Sequence, residues 1–273
     1  MRPAALLAAM LGIVAACHPA SAQLNAIFTP LPADFSPAAI SKSKTLQFVL
    51  VPGAKANTVM AWGGIARGDS LRLSAALTAA RPVAELQLFS PGGSLSEGML
   101  MGRLVRTRAL ATRIVSGARC MSACNFIFMG GVVRTVEPGG AFGVHMFSDD
   151  MASVLMEDLR NPPKTVEEFN DRYPSRQIRA YQIEQKIAQL NKQNSATPIT
   201  VAEYLHHPDI QGEIIDSRVK EIQQEAAQTA AVIASYLVEM RLPLRFLEQF
   251  SDISSDTIHV LTQQELRDLN IVN

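Results

Sequence analysis

Apolar and polar residues alternate along the chain in a way that predicts strands between residues 45 and 147. Thr45–Val51 is rich in β-branched and aromatic residues and stops at a Pro-Gly pair, as a strand does. Val59–Ile65 predicts a weaker strand, and Ala84–Phe89 predicts another because its apolar residues recur at every second position. Ala111–Val115 predicts a fourth strand, and Ala141–Phe147 a later one.

Helices are predicted between these strands. Asp69 or Ser70 can cap a helix whose apolar residues keep helical spacing. Apolar residues from Met99 to Val105 predict a second helix, and the segment Cys120–Phe128 predicts a third that is buried. Parallel neighbouring strands need a crossover connection, so the alternation predicts α/β architecture with a largely parallel sheet.

The composition changes after Phe147 toward polar, helix-forming sequence. Residues 148–217 contain five prolines and the amphipathic stretch Arg176–Gln193, which predicts a helical insertion of short helices and loops. Residues 218–273 begin with a longer helical stretch, Val219–Met240. We expect this helical C-terminal part to complete the core that residues 45–147 begin.

The N-terminus has the order of a secretory signal. A positive charge at Arg2 precedes the apolar run Ala4–Ala16, and small residues precede Gln23. We therefore expect a signal peptide over residues 1–22, an irregular tether over 23–44, and a periplasmic location. The segment ending at Cys17 is similar to a bacterial lipobox, so a lipid anchor on that thiol remains an alternative.

The overall charge gives no reason to expect a nucleic acid or an anionic membrane as partner. The chain has 25 basic and 25 acidic side chains, which cancel. His206 and His207 are adjacent, so their side chains point apart, and no cluster at ligand spacing accompanies them. We expect neither a metal site nor a cofactor.

Two cysteines would remain after cleavage of the signal peptide. Cys120 and Cys124 are four residues apart, and on a helical turn this spacing puts two Cα atoms roughly 6 Å from each other, within reach of a disulfide. Two small buried thiols are the alternative. An oxidising compartment would favour the disulfide.

Three segments carry chemistry-bearing residues. Ser90-Pro-Gly-Gly93 follows a strand and allows backbone N–H groups to face a ligand, although a plain turn has the same sequence. Ser122 lies near the start of an apolar helix, where a negative charge is favoured, although an N-cap serine is the simpler explanation. His145 lies in an apolar strand, where an imidazole needs a hydrogen-bond partner.

Taken together, these segments resemble the proteolytic subunit of the Clp protease, within the wider crotonase-like fold. Ser-Pro-Gly-Gly, Ser122-Ala-Cys-Asn-Phe-Ile-Phe-Met-Gly-Gly and Gly143-Val-His145 follow one another in the family's order. The sequence is most similar to exported Clp-like proteins that contain a Cys-x-Ser-Ala-Cys segment. The resemblance covers Thr45–Phe147 and weakly the last twenty residues, and it implies a repeated β-β-α core.

The resemblance also implies roles for individual residues. Ser122 would be the nucleophile and His145 the general base. The backbone N–H groups of Gly93 and Ala123 would form the oxyanion hole, and Gly92 and Ser94 would contact the substrate.

The third member of the triad is where the sequence departs from the family. An acid is expected shortly before a terminal helix, and Asp256 is nearest to the segment that resembles that helix, with a shift of about two residues. Asp252, Asp149 and Asp150 are weaker candidates.

These assignments predict a serine hydrolase, a peptidase that acts on peptides or unfolded protein segments, without a cofactor. A non-catalytic peptide-binding or assembly module with a degenerate triad is the alternative, and acyl-CoA chemistry a third. Family members assemble into rings or stacked trimers, so a homo-oligomer is an open expectation.

Overall fold

The computed structural model describes residues 27–31, 36–146, 160–161, 164–172, 180–193, 198–205, 208–248, 253 and 257–273. The chain forms two compact units. The first comprises Met1–Val144 with Ile258–Asn273, and the second comprises His145–Thr257. The site residues predicted between 90 and 125 therefore belong to the first unit.

The first unit contains the strands. They are β1 (Gln47–Val51), β2 (Asn57–Trp62), β3 (Val83–Phe89), β4 (Ala111–Ile114), β5 (Arg119–Met121), β6 (Arg134–Val136), β7 (Ala141–Val144) and β8 (His259–Val260). Its helices are α1 (Pro37–Ile40), α2 (Asp69–Ala79), α3 (Leu95–Thr107) and α4 (Cys124–Met129), followed near the end of the chain by α9 (Gln263–Asp268).

The strands form two sheets. The larger has the order β1-β2-β3-β4-β6, in which only the β1–β2 pair is antiparallel. The smaller has the order β5-β7-β8, with β5 and β7 parallel and β8 antiparallel to β7. Units such as β4-β5-α4 place their first strand in one sheet and their second in the other. The predicted α/β fold class with repeated β-β-α units is confirmed.

Among the described helices of the first unit, α4 is the most deeply buried. All six of its residues are buried. Phe128 packs edge to face on Phe142 of β7, with ring centroids 5.6 Å apart. Gly130, which follows α4, lies against the backbone of Gly102 in α3. This close packing fixes the segment that follows Ser122 against both a strand and a helix.

Residues 258–273 join the first unit through β8 and α9. Thr262 and Glu265 form a reciprocal capping box at the start of α9. The Thr262 N–H and hydroxyl and the nearby His259 stabilise the carboxylate, which lowers the pKa of Glu265 to about 2. The terminal helix that the sequence predicted is therefore present and begins at a well-capped turn.

The second unit is helical. Its helices are α5 (Val166–Arg172), α6 (Ala180–Gln193), α7 (Val201–Leu205) and α8 (Pro208–Glu239), followed by a 3-10 turn at Leu244–Leu247. Ile183, Tyr204 and Leu205 form a small hydrophobic cluster. The Asn191 side chain accepts a hydrogen bond from the Ile199 N–H at 2.6 Å and fixes the connection before α7. None of the described helices is long and apolar enough to cross a membrane.

Several predicted boundaries differ from the structure. Cys120 lies on strand β5 and not in a helix, because the chain turns at residues 122 and 123 before α4 begins at Cys124. The strand predicted to run to Phe147 ends at Val144, so His145 follows it. The predicted limit between 217 and 218 falls inside α8. The proposed signal peptide, Cys17 and the pair His206-His207 lie outside the described residues.

Candidate functional site

The small sheet brings two of the predicted segments together. An isolated parallel bridge joins Ser90, directly after β3, to Cys120 of β5. Strand β5 is parallel to β7, with Met121 opposite Gly143. Because carboxyl ends of parallel strands meet at one edge, the Gly92-Gly93 turn and the turn at Ser122 leave the sheet side by side. These two turns, with Ala123 and Asn125, are the candidate site.

Gly92 lies directly against Ser122. A Cβ atom on Gly92 would be 2.7 Å from the Ser122 Cβ and 2.8 Å from the Met121 carbonyl oxygen, closer than real side chains approach. Its φ of 101° is also in the region that favours glycine. The Gly92 N–H donates to the Ser90 hydroxyl and its carbonyl accepts from the Ile65 N–H. Gly92 thus allows the two turns to touch, and its own N–H is occupied.

Two backbone N–H groups beside Ser122 are unused. Within the described part of the chain, neither Gly93 nor Ala123 donates a hydrogen bond from its backbone N–H. Gly93 has a φ of 139° and lies so close to Ile65 that a side chain would meet the Ile65 carbonyl oxygen. Backbone donors without an internal partner are what an oxyanion hole requires.

Ser122 occupies a strained turn between a strand and a helix. Its φ is 55°, a left-handed value that is uncommon for a residue with a side chain. The Ser122 N–H donates to the Gly143 carbonyl at 3.1 Å, and its carbonyl accepts from the Asn125 N–H at 2.9 Å. Ser122 is half-buried, whereas Met121 and Ala123 on either side are buried. The turn therefore presents this one side chain while it holds the neighbouring residues in the core.

A disulfide spans the Ser122 turn. Cys120 and Cys124 are bonded, with Cα atoms 5.2 Å apart, and both residues are fully buried. The pair joins the middle residue of strand β5 to the first residue of α4, so it closes a ring of five residues with Ser122 at the centre. The short distance arises from this strand–turn–helix geometry and not from the helical turn that the sequence predicted.

Asn125 is a residue of this site that the sequence pattern did not indicate. Its side-chain amide donates to the Gly143 carbonyl at 2.7 Å, the same oxygen that accepts the Ser122 N–H. Asn125 is fully buried, and its Oδ1 has no hydrogen-bond partner among the described residues. A single amide inside the apolar run Cys124–Met129 was the signal that could have identified it.

His145 is the first residue of the second unit and follows strand β7 directly. It is partly exposed, and its Nδ1 lies 2.6 Å from the Met146 carbonyl oxygen. A carbonyl can only accept, so Nδ1 carries the proton and Nε2 is left as the acceptor. The sequence predicted a buried strand histidine that needs a partner; the structure shows a histidine beyond the strand whose partner is the next carbonyl.

The remaining predicted site residues have other partners or lie outside the description. The Ser94 hydroxyl caps helix α3 at the Glu97 N–H, and the Ser94 N–H donates to the Ile65 carbonyl. Ser94 therefore starts a helix, which is a structural role. The candidate acids Asp149, Asp150, Asp252 and Asp256 lie outside the described residues. No group of three metal-ligating side chains occurs in the described residues.

Comparisons with known proteins give matches among solved structures. No protein-family model matches the chain, and no curated protein matches it. The chain is similar to a ClpP1 mutant from Listeria monocytogenes, with 14% identity over 79% of this chain and 88% of that one and a TM-score of 0.38.

Two further solved structures have a similar extent of match. An enoyl-CoA hydratase/isomerase family protein from Pseudomonas syringae has 10% identity over 70% of this chain and 99% of that one, with a TM-score of 0.29. A methylmalonyl CoA decarboxylase has 11% identity over 76% and 97%, with a TM-score of 0.31. These are likenesses of fold, and the chemistry of the site rests on its own residues.

Proposed function

We propose that this protein is an exported serine hydrolase, a Clp-like peptidase in which Ser122 is the nucleophile. One observation carries the proposal: Ser122 lies in a left-handed turn that contacts Gly92, and the N–H groups of the residues that follow, Gly93 and Ala123, donate to no described residue. Strain of this kind costs about 1–3 kcal/mol and persists only where surrounding structure enforces it, which is common at catalytic centres. The Gly92 contact, the disulfide and the Asn125 hydrogen bonds supply that enforcement.

The chemistry follows from these groups. The Ser122 Oγ attacks the carbonyl carbon of a peptide bond, while Nε2 of His145 accepts the hydroxyl proton. The N–H groups of Gly93 and Ala123 donate to the oxyanion that forms, and losing one such donor typically costs about 10²- to 10³-fold in rate. The imidazolium then returns its proton to the leaving amine, and water hydrolyses the acyl-enzyme with His145 again acting as base.

The Met146 carbonyl orients the His145 imidazole, which is one of the two roles of the acid in a catalytic triad. It holds the proton on Nδ1, so Nε2 is free to accept one. A neutral carbonyl stabilises the imidazolium less than a carboxylate does, and a triad whose acid is neutralised loses roughly 10⁴-fold in kcat. We propose Asp256 as the acid that completes the site, and we expect slow turnover if no carboxylate reaches His145.

The substrate we propose is a peptide or an unfolded protein segment, bound as an extended chain beside the two turns. Export would separate the protein from a cytosolic unfoldase, so the segments cleaved would already be unfolded. Neither a nucleic acid nor a cofactor is part of this proposal. We further propose assembly into a homo-oligomer, and a lipid anchor at Cys17 as the alternative to cleavage after residue 22.

Covalent labelling tests the nucleophile. Wild-type protein, Ser122→Ala and the control Ser116→Ala are incubated with a fluorophosphonate probe and analysed by intact-protein mass spectrometry. Ser116 is exposed and lies in a different turn, so its replacement leaves the site intact. We expect one adduct on wild type and on Ser116→Ala and none on Ser122→Ala. Equal labelling of wild type and Ser122→Ala would reject Ser122 as an activated nucleophile.

A non-catalytic peptide-binding or assembly module is the second candidate. It is favoured by the partner of His145, which is a backbone carbonyl and not a carboxylate in the described residues. Peptide binding without turnover, unchanged in Ser122→Ala, would support this candidate. Covalent labelling of Ser122 would contradict it.

A further inference from the structure

One carbonyl oxygen links the Ser122 turn to strand β7. The Gly143 oxygen accepts the Ser122 N–H at 3.1 Å and the Asn125 side-chain amide at 2.7 Å. The Asn125 N–H also donates to the Ser122 carbonyl at 2.9 Å. The backbone N–H of Asn125 therefore holds the Ser122 carbonyl directly. The Asn125 side chain holds the Ser122 N–H indirectly, because both donate to the Gly143 oxygen.

The orientation of the Asn125 amide is fixed by chemistry. The Gly143 oxygen can only accept, so the NH₂ group must face it and Oδ1 must face away. In that orientation Oδ1 is buried and has no partner among the described residues. A buried acceptor without a partner is unfavourable, and an apolar residue of the same size would avoid it. Stability alone therefore does not explain an asparagine at this position.

The position of Asn125 in the site gives a better explanation for the asparagine. Ser122 has a φ of 55°, which the chain relaxes unless hydrogen bonds hold both its peptide groups. Gly143 lies two residues before His145, so the same side chain fixes the end of the strand from which His145 follows. No other described side chain donates a hydrogen bond to the Gly143 oxygen.

We propose that Asn125 is a positioning residue for the Ser122 nucleophile, acting through the Gly143 carbonyl. The inference rests on the proposed hydrolase function. Asn125 does not touch the reacting atoms in this proposal. It keeps the Ser122 hydroxyl at the angle from which the oxyanion donors of Gly93 and Ala123 can be used, and small misplacements of a nucleophile cost up to about 10²-fold in rate.

The test compares the rate of fluorophosphonate labelling in three variants of the full chain. Asn125→Leu keeps the branching and the number of heavy atoms of the side chain and removes the donor, and we expect it to label roughly 10- to 100-fold more slowly than wild type. Ile127→Ala is the control, because it loosens the same buried helix and keeps the Asn125 hydrogen bonds. We expect Ile127→Ala to melt at a lower temperature than wild type and to label at close to the wild-type rate.

Asn125→Asp gives a readout that a purely structural role would not produce. An ionised carboxylate cannot donate to the Gly143 oxygen, whereas a protonated carboxyl can. The labelling rate of Asn125→Asp divided by that of wild type at the same pH should therefore rise as the pH falls from 8 to 5. If Asn125→Leu does not fold, this ratio of labelling rates still tests the positioning role of Asn125.

The outcomes separate this inference from the proposed function. If wild type is not labelled at all, the hydrolase proposal fails and the inference fails with it. If wild type is labelled and Asn125→Leu labels equally fast, only the role of Asn125 is rejected. The positioning role would also be rejected if the labelling rate of Ile127→Ala fell as much as that of Asn125→Leu. The same holds if the labelling rate of Asn125→Asp relative to wild type did not change with pH.

Discussion

Gly92 and Ser122 lie so close together that a side chain on Gly92 would overlap the side chain of Ser122. A Cβ at position 92 would lie 2.7 Å from the Ser122 Cβ. The contact is between two turns that are 30 residues apart in sequence and adjacent at one edge of the small sheet. The candidate nucleophile is thus positioned by a residue that contributes no side chain.

Gly92→Ala should damage the site more than an equivalent substitution elsewhere. Gly117 also has a positive φ, 80°, but a Cβ there would meet nothing within 4 Å. Gly117→Ala should cost only the left-handed backbone penalty of about 1–2 kcal/mol. Gly92→Ala should unfold at lower urea concentration than Gly117→Ala and label with fluorophosphonate at least about tenfold more slowly than wild type. Equal behaviour of the two variants would show that the Gly92 contact is unimportant.

The disulfide should stabilise the protein without being needed for folding. Closing a ring of five residues constrains the unfolded chain by about 2 kcal/mol at 25 °C. Cys120→Ala/Cys124→Ala should therefore lower the free energy of unfolding by about this amount, measured in urea without reductant. Reduced wild-type protein should approach the double variant, and the variant itself should not respond to reductant. Two free thiols in oxidised, denatured wild type would contradict the bond.

Glu97 predicts a pH-dependent contribution to stability. Its carboxylate oxygens accept the Gly68 and Ser70 N–H groups at 2.9 and 2.8 Å, at the start of α2. Burial would raise the pKa of Glu97, but these hydrogen bonds outweigh it and hold the pKa below its ordinary value of 4.5. A lowered pKa means that the carboxylate stabilises the fold at neutral pH and that this contribution is lost as the pH falls below 4.5.

Glu97→Gln tests that contribution. Glutamine supplies one acceptor instead of two, so the variant should be less stable than wild type at pH 7 by about 1–3 kcal/mol. The difference in the free energy of unfolding between the two proteins should shrink as the pH is lowered from 5 to 3. The exposed substitution Glu225→Gln serves as the control and should show no such trend. A difference that stays constant down to pH 3 would contradict the assignment.

Arg134 should be essential for anchoring the last residues of the chain. This buried guanidinium donates to the Ile271, Gly131 and Asn270 carbonyls at 2.7, 3.0 and 3.1 Å. Arg134→Met leaves these acceptors without their donor, and we expect a loss of at least about 2 kcal/mol in the free energy of unfolding.

The exposed residue Arg119 gives the matched control. Arg119→Met changes the same side chain on the surface and should alter stability by less than about 0.5 kcal/mol. Deletion of residues 270–273 should cost more than Arg134→Met, because it also removes the fully buried Ile271, and combining the two changes should cost less than the sum of the separate losses. Fully additive losses would show that Arg134 and these residues do not act on one another.

Much of the first unit could be predicted from local pattern. The strand Ala84–Phe89 was expected from alternation alone and is found as Val83–Phe89. The helix expected from this region begins at Asp69, but the predicted cap by Asp69 or Ser70 is wrong, because the N-cap residue is Gly68, which has no side chain. In contrast, the segment Cys120–Phe128 was predicted as one helix, because its apolar run has no breaker; in the structure its first residues pair with β7 instead. Short strands of two to four residues carry too little periodicity to be distinguished from helix ends.

The sequence by itself determined the α/β class and the chemical inventory of the site: a glycine pair, a serine between two cysteines and a histidine in an apolar segment. These follow from side-chain periodicity and from the conformations that glycine alone adopts readily. The tertiary structure alone decided that Gly92 touches Ser122, that the Gly93 and Ala123 N–H groups donate to no described residue, and that Asn125 shares an acceptor with Ser122. Such relationships depend on which strands are neighbours, and that pairing is set by the packing of the whole core.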